Sequence, residues 1–285
     1  MPKKSCILFI LLPLLSACGS DSPSSQVDPY QPITANADWT PVMQEFDGVE
    51  MVLVPVGCFD MGSPDELIDY VVSSGDRREY VADEQPVHEI CFDAPFWIDR
   101  YEVSYAQFRR LDGQAIGSGQ WTDDNLPRED ISWFEARDFC VLRGARLPTE
   151  AEWEYTARGP DNLIYPWGNE FVAENAVYTD NSGGHSATIG SRPGGVSWVG
   201  AYDLSGNVWE WVNTIYQSYP YVATDGRETD ADPNSSSTPS RTMRGGAWNT
   251  LGIDMRATHR GGAETPWMAG SWIGFRCARA YTTSR

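Results

Sequence analysis

Apolar residues cluster in short runs over the first part of the chain and recur at helical spacing over the middle. Met51-Val52-Leu53-Val54-Pro55-Val56-Gly57 is an apolar run that predicts a β-strand, with Pro55 placing it at a sheet edge. Met61-Gly62-Ser63 turns out of it, and residues 89–101 predict further strand. Ser104 is a suitable N-cap for a short helix through Arg110, with Tyr105 and Phe108 three apart on one face. Two capping boxes follow. Ser132-Trp133-Phe134-Glu135 opens a helix that Gly144 ends, and Thr149-Glu150-Ala151-Glu152 opens another that Gly159 ends. Beyond Pro160 the pattern breaks into turns, short extended pieces and scattered aromatics, with no long-period internal repeat. Together these elements predict one α+β domain over residues 40–285, with much irregular structure in its second half.

The first forty residues follow a different pattern. A basic start (Lys3, Lys4), an apolar run over 7–15 and the small residues Ser16 and Ala17 are the parts of a secretory signal, here residues 1–17. The apolar run is too short to span a bilayer as a mature helix. Leu15-Ser16-Ala17-Cys18 resembles a bacterial lipobox, which makes Cys18 the expected lipidated residue and the bacterial membrane the expected partner. The expected location is the cell envelope, lipid-anchored on a periplasmic or extracellular face. Residues 18–39, rich in Ser, Pro, Asp and Gln, predict a flexible tether.

Composition narrows the function classes. The 285 residues hold 21 cations against 40 acids, a net charge of −19, and the only lysines are Lys3 and Lys4. Removing those two from the 21 cations leaves 19 arginines against 40 acids, a net charge of −21. Such a chain repels phosphate backbones, which excludes nucleic acid as a partner. A chain with no lysine beyond its leader has no Schiff-base or P-loop lysine chemistry. Twelve Trp, 13 Tyr and 10 Phe exclude a disordered chain. Setting aside Cys6 and Cys18 leaves Cys58, Cys91, Cys140 and Cys277, which allow two disulfides in three pairings. Cys58 and Cys91 each lie in an extended run that neighbouring strands would bring together. Cys140 and Cys277 would then tie a helix to the end of the chain. No CxxC or similar spacing suggests zinc.

Seven stretches then occur in a telling order: Met51-Val-Leu-Val-Pro-Val-Gly with Phe59-Asp-Met-Gly-Ser63; Tyr101-Glu-Val-Ser104; Ile131-Ser-Trp133 leading to Ala145-Arg-Leu-Pro-Thr-Glu-Ala-Glu-Trp-Glu-Tyr155; Tyr165-Pro-Trp-Gly-Asn169; Tyr202-Asp-Leu-Ser-Gly-Asn-Val-Trp-Glu-Trp211; Arg244-Gly-Gly-Ala-Trp248; and Ile273-Gly-Phe-Arg-Cys277. Over about residues 48–280 the chain resembles the sulfatase-modifying-factor family, that of the formylglycine-generating enzyme. The resemblance implies the formylglycine-generating-enzyme-like variant of the C-type-lectin-like fold, and a Cys140–Cys277 disulfide, which leaves Cys58 with Cys91. The family's enzymes hold Cu(I) between two thiolates spaced Cys-x4-Cys. Those positions fall here at about Thr250 and Met255, and no cysteine lies between Gly246 and Arg276. Copper and formylglycine generation are therefore not expected.

Calcium is the cofactor that the resemblance implies, with side chains of Asp203 and Glu210 and carbonyls of Gly206 and Val208 as ligands. A second site would use Asn175, the Ala176 carbonyl and an acid near Asp180 or Asn181. Hard cations take such oxygen sets. His88, His185 and His259 are the only histidines, and their spacing matches no 2-His-1-carboxylate iron motif. His259, Arg256 and Arg260 are the candidates for the family's cleft, the arginines either recognising an anion or forming internal ion pairs. Trp133, Trp153, Trp167, Trp209, Trp211 and Trp248 are expected in the core, and Trp267 and Trp272 nearer the surface. Three functions remain: a calcium-stabilised module binding an unknown peptide, glycan or protein ligand; a divergent metal-dependent oxidoreductase, for which iron is the open cofactor; and a scaffold lipoprotein of an envelope complex.

Overall fold

A computed structural model describes residues 1, 28–75, 77–235 and 237–282. The expected signal peptide beyond Met1, the lipidated Cys18 and the tether as far as residue 27 lie outside the described residues. In chain order the elements are β1 (Met43–Phe46), β2 (Val49–Val54), β3 (Gly57–Met61), α1 (Asp65–Ser73), α2 (Arg78–Val81), β4 (His88–Phe92), β5 (Phe96–Asp99), α3 (Tyr105–Arg110), α4 (Trp133–Leu142), α5 (Glu150–Arg158), β6 (Trp209–Ile215), β7 (Arg241–Arg244), β8 (Arg260–Glu264), β9 (Ile273–Phe275) and β10 (Ala278–Ala280). The fold is a mixed α+β one in which long irregular segments join short elements.

Three sheets organise it. The first has the order β1-β2-β5-β10, so the last strand of the chain closes the sheet begun by the first. Val52 pairs with Ile98, and Ile98 with Ala278. Met51, Val52, Leu53 and Val54 are all buried, which explains an unbroken apolar run rather than an alternating one. The expected edge position is corrected here: β2 lies between β1 and β5, and Pro55 falls just past its end, where its missing N–H costs no ladder bond. A two-stranded sheet pairs β3 with β4, placing Cys58 directly opposite Cys91. The third sheet, β8-β7-β6-β9, holds most of the regular structure in the second half, and its β6–β9 contact is parallel.

Three capping boxes start α3, α4 and α5, with Ser104, Ser132 and Thr149 each accepting from the backbone N–H three residues on. Gly159, at φ 63°, ends α5 in a conformation that suits glycine. One core cluster gathers β2, β5 and α5 around Trp153 and Tyr155. A second gathers α4 with β6 and β9 around Trp133, Phe139, Trp211 and Phe275, and contains the Cys140–Cys277 disulfide. Cys58–Cys91 is the other disulfide.

Two expectations are revised. The tether ends before residue 39: Ile33 and Trp39 are buried in the first core, and the Ile33 N–H donates to the Val56 carbonyl at 3.0 Å. These two large apolar side chains anchor a segment whose remaining composition is polar. Of the six motif tryptophans, Trp133, Trp153 and Trp211 are fully buried, whereas Trp167, Trp209 and Trp248 remain partly exposed. Trp267 is 53 % exposed, and Trp272 packs against the second core.

Candidate functional site

All nine residues of helix α5 are buried. Glu150 and Glu154, four apart, share one face of it and meet arginines from β7 and β8. Arg260 Nε donates to Glu150 Oε1 at 2.7 Å, and Arg244 donates to Glu150 Oε1 at 3.3 Å and to Glu154. Arg158 closes the other side of Glu154 at 2.7 Å. Burial pushes the Glu150 carboxyl up, but the charges of Arg260 and Arg244 outweigh it and hold it below its ordinary value.

Beside this layer, Arg256 donates to Glu84 Oε1 at 2.7 Å and His259 Nδ1 lies 3.3 Å from the same oxygen. Ser63 Oγ donates to Glu84 Oε2 at 2.5 Å. Burial raises the Glu84 carboxyl, yet the bond from His259 and the charge of Arg256 bring it down to about 2. Arg256 and Arg260 are thus buried inside ion pairs rather than presented to a cleft, and only His259, over the Trp209 ring, keeps partial exposure. Glu84 is a residue that sequence reasoning missed. It lies in an unremarkable Asp-Glu turn, and nothing local marks it as the partner of residues more than 170 positions away.

Thr250 and Met255, the expected positions of the family's thiolates, follow the Gly245-Gly246 turn. Gly245 and Gly246 turn the chain at φ 98° and 76°. Thr250 is held in the turn that follows, its Oγ1 accepting from the Ala247 N–H at 3.0 Å and its carbonyl accepting from Thr179. Met255 is fully buried in an aromatic cluster with Tyr165 and Tyr178, against Trp167 and Phe171. A Cβ on Gly246 would collide with the Met255 methyl. A packed thioether therefore fills the volume, and the four described cysteines are spent on disulfides.

The expected calcium loop, residues 203–210, leads into β6, and its Gly206 N–H donates to the Gly245 carbonyl at 2.8 Å. Glu210 is committed elsewhere: both its oxygens accept from Arg276 at 2.6 Å, and Oε2 also accepts from Trp153 Nε1 at 2.8 Å. Asp203 Oδ2 accepts from the Gly190 N–H at 2.6 Å. Glu102, which the sequence did not single out, bonds Asn207 and the Val208 N–H. Burial, with the neighbouring Asp203 and Glu210 charges, pushes the Glu102 carboxyl well up, and burial takes Asp203 to about 6. Three buried carboxylates thus surround one guanidinium. Of the expected calcium ligands, Asp203 lies in this group and Glu210 is taken by Arg276. The second expected site adjoins the first, because Val177 bridges to Gly206. There the Ala176 carbonyl accepts from Asn181 Nδ2 at 3.0 Å, so an amide stands where an acid was expected.

The three histidines have separate surroundings. His88 contacts Pro86 and Tyr221, His185 packs on Trp121, and His259 meets Glu84. Among the described residues no three His, Cys, Asp or Glu side chains group so as to hold a metal, so the residues present do not fit an iron centre. Outside the Thr250 turn, Trp121 and Trp248 meet edge to face at 5.7 Å, with His185 exposed beside them. Glu129 Oε1 holds this surface from below by accepting from the Gln120 and Trp121 N–H groups at 3.0 and 3.2 Å. Its own burial pushes its carboxyl up to about 7.

Comparison with known proteins places this geometry. The family model of the sulfatase-modifying factor enzyme 1-like domain matches residues 37–281. The chain is 30% identical over 256 residues to serine/threonine-protein kinase Pkn1 of Chlamydia trachomatis, covering 81% of this chain but 38% of that protein. It is 36% identical over 184 residues to the inactive C-alpha-formylglycine-generating enzyme 2 of Bos taurus, covering 58% of this chain and 54% of that one. The chain thus spans about half or less of the length of these relatives. The solved structure of PvdO from Pseudomonas aeruginosa superposes with a TM-score of 0.66 at 26% identity, covering 85% of this chain and 100% of that chain.

Proposed function

The chain belongs to the sulfatase-modifying factor enzyme 1-like domain family, and on that premise we propose that it is a binding member rather than a generator of formylglycine. The observation that carries this reading is Met255. At the position expected for one thiolate of the copper pair it places a thioether buried among aromatic rings, and Thr250, at the other expected position, has no soft donor. The similarity to a relative named as inactive supports it. The partly exposed Trp121 and Trp248 and the exposed His185 offer a surface for a peptide, glycan or protein ligand, since indole and imidazole rings present apolar faces with polar edges. Incubating the purified domain with Cu(I) and a cysteine-bearing sulfatase peptide should leave the thiol intact. Aldehyde formation would overturn the reading.

Calcium enters this proposal as a stabiliser at Asp203, Gly206 and Val208, where it would offset the buried acid surplus around Arg276. Millimolar calcium should then raise the melting temperature over that in a chelator, and an unchanged melt would remove calcium from the account. Anchoring through Cys18 at the bacterial cell envelope completes the proposal. The acyl chains on Cys18 would carry this anchoring, and no described helix is long and apolar enough to cross a membrane. Labelled palmitate should enter the full chain and fail to enter Cys18→Ala. Equal labelling of both would refute lipidation at this residue.

A further inference from the structure

On a face formed by α4 and the loop after α3, residues 112–142 enclose an open groove of about 610 Å³, within the roughly 300–1,000 Å³ usual for ligand sites. Its floor is apolar: Phe139 is buried, Leu142 is 59 % exposed, and Ile116 stands 98 % exposed at its lip. A lone exposed isoleucine needs no explanation, but one that adjoins an exposed leucine across a groove forms a contiguous apolar patch. The loop is fastened to the helix by the Ile116 N–H, which donates to Glu135 Oε1 at 2.6 Å, so the groove walls are tied to each other.

The rim has one sign of charge. The charged residues among the described ones that line the groove are Asp112, Glu135 and Asp138, all acidic. Arg137, next in sequence to Asp138, bonds Asp138 and Asp230 while stacking on Trp133 and Phe134, and is only 16 % exposed. An apolar slot with an acidic rim, on a chain whose net charge is −19, selects cations and repels anionic headgroups. From this geometry we infer that the groove docks a cationic amphipathic peptide segment, with one or more apolar side chains on Phe139 and Leu142 and flanking Lys or Arg side chains at Asp112 and Asp138. This inference rests on the binding reading above and names a partner class for it, at a surface separate from the Thr250 turn.

Fluorescence anisotropy with a labelled synthetic Lys/Leu amphipathic peptide tests it, with the Glu/Leu counterpart as control. The Lys/Leu peptide should bind, the Glu/Leu peptide should not, and raised salt should weaken binding. Ile116→Ser with Leu142→Ser should weaken binding at least tenfold without moving the melt, because both side chains are largely exposed. Asp112→Asn with Asp138→Asn should flatten the salt dependence. Absence of binding, equal binding of both peptides, or unchanged affinity of the serine variant would each overturn the inference. Self-association of the wild type that the serine variant abolishes would assign the groove to a second copy instead, and would also overturn it. The thiol-oxidation assay stands apart from all of these outcomes, so failure of the groove and failure of the non-catalytic reading are read separately.

Discussion

The carboxylate of Glu84 is enclosed by Arg256, His259 and Ser63, with no exposed surface. Its pKa falls from the ordinary 4.5 to about 2, because His259 and Arg256 outweigh the burial that would raise it. The folded value lies below the unfolded one, so this stabilisation is present above about pH 4.5 and is lost as pH falls toward 2. A shift of this size corresponds to about 3 kcal/mol. Glu84→Gln should therefore lower stability at pH 7 by about 3–5 kcal/mol, since it leaves the Arg256 charge buried and unpaired. It should also lose less stability than the wild type between pH 5 and pH 2. Urea unfolding across that range checks both, and parallel pH profiles would contradict the assignment. At this scale, residue types were readable in advance but partners were not. Arg256 and Arg260 were legible as cations four apart, yet whether they faced a ligand or a carboxylate depended on Glu84 and Glu150, which the fold delivers from distant segments.

Helix α5 illustrates what an element's own residues decide. Thr149 Oγ1 accepts from the Glu152 N–H at 3.1 Å, and Glu152 Oε2 accepts from the Thr149 N–H at 2.8 Å. Thr149→Ala removes one half of this box and should cost about 1 kcal/mol, read as a lower urea midpoint with unchanged slope; a larger slope change would mean that more than the cap was lost. Capping is local chemistry, so all three helix starts with Ser or Thr caps were visible in the sequence. Strands β6 to β9 were not, because three of them are only three to five residues long and the regular pairing that defines them spans segments far apart. Helix α1 also escaped notice. It starts at Asp65 after Pro64 without a side-chain cap, so the usual start signal is missing.

The whole molecule is tied by two bridges of different reach. Cys140–Cys277 joins residues 137 positions apart, from α4 to the residue just before β10, whereas Cys58–Cys91 spans 33 and links strands already in register. By loop-closure entropy, replacing the first pair with alanine should cost about 5 kcal/mol and the second about 4 kcal/mol. Denaturant melts of both double variants check the order, and an equal or reversed loss would show that native contacts, rather than chain entropy, dominate. The sequence alone left four cysteines open to three pairings, of which the family resemblance implied one; by itself it determined the family, the helix caps and the absence of a cysteine between Gly246 and Arg276. These follow from residue identity and short spacing, which survive any folding of the chain. Only the tertiary structure decided that Met255 lies in a packed aromatic cluster, that Arg256 and Arg260 neutralise buried acids, that Arg276 holds Glu210, and that an acid-rimmed apolar groove opens beside α4. Each of these depends on which distant segments meet and how much water they exclude, and those quantities exist only once the chain is folded.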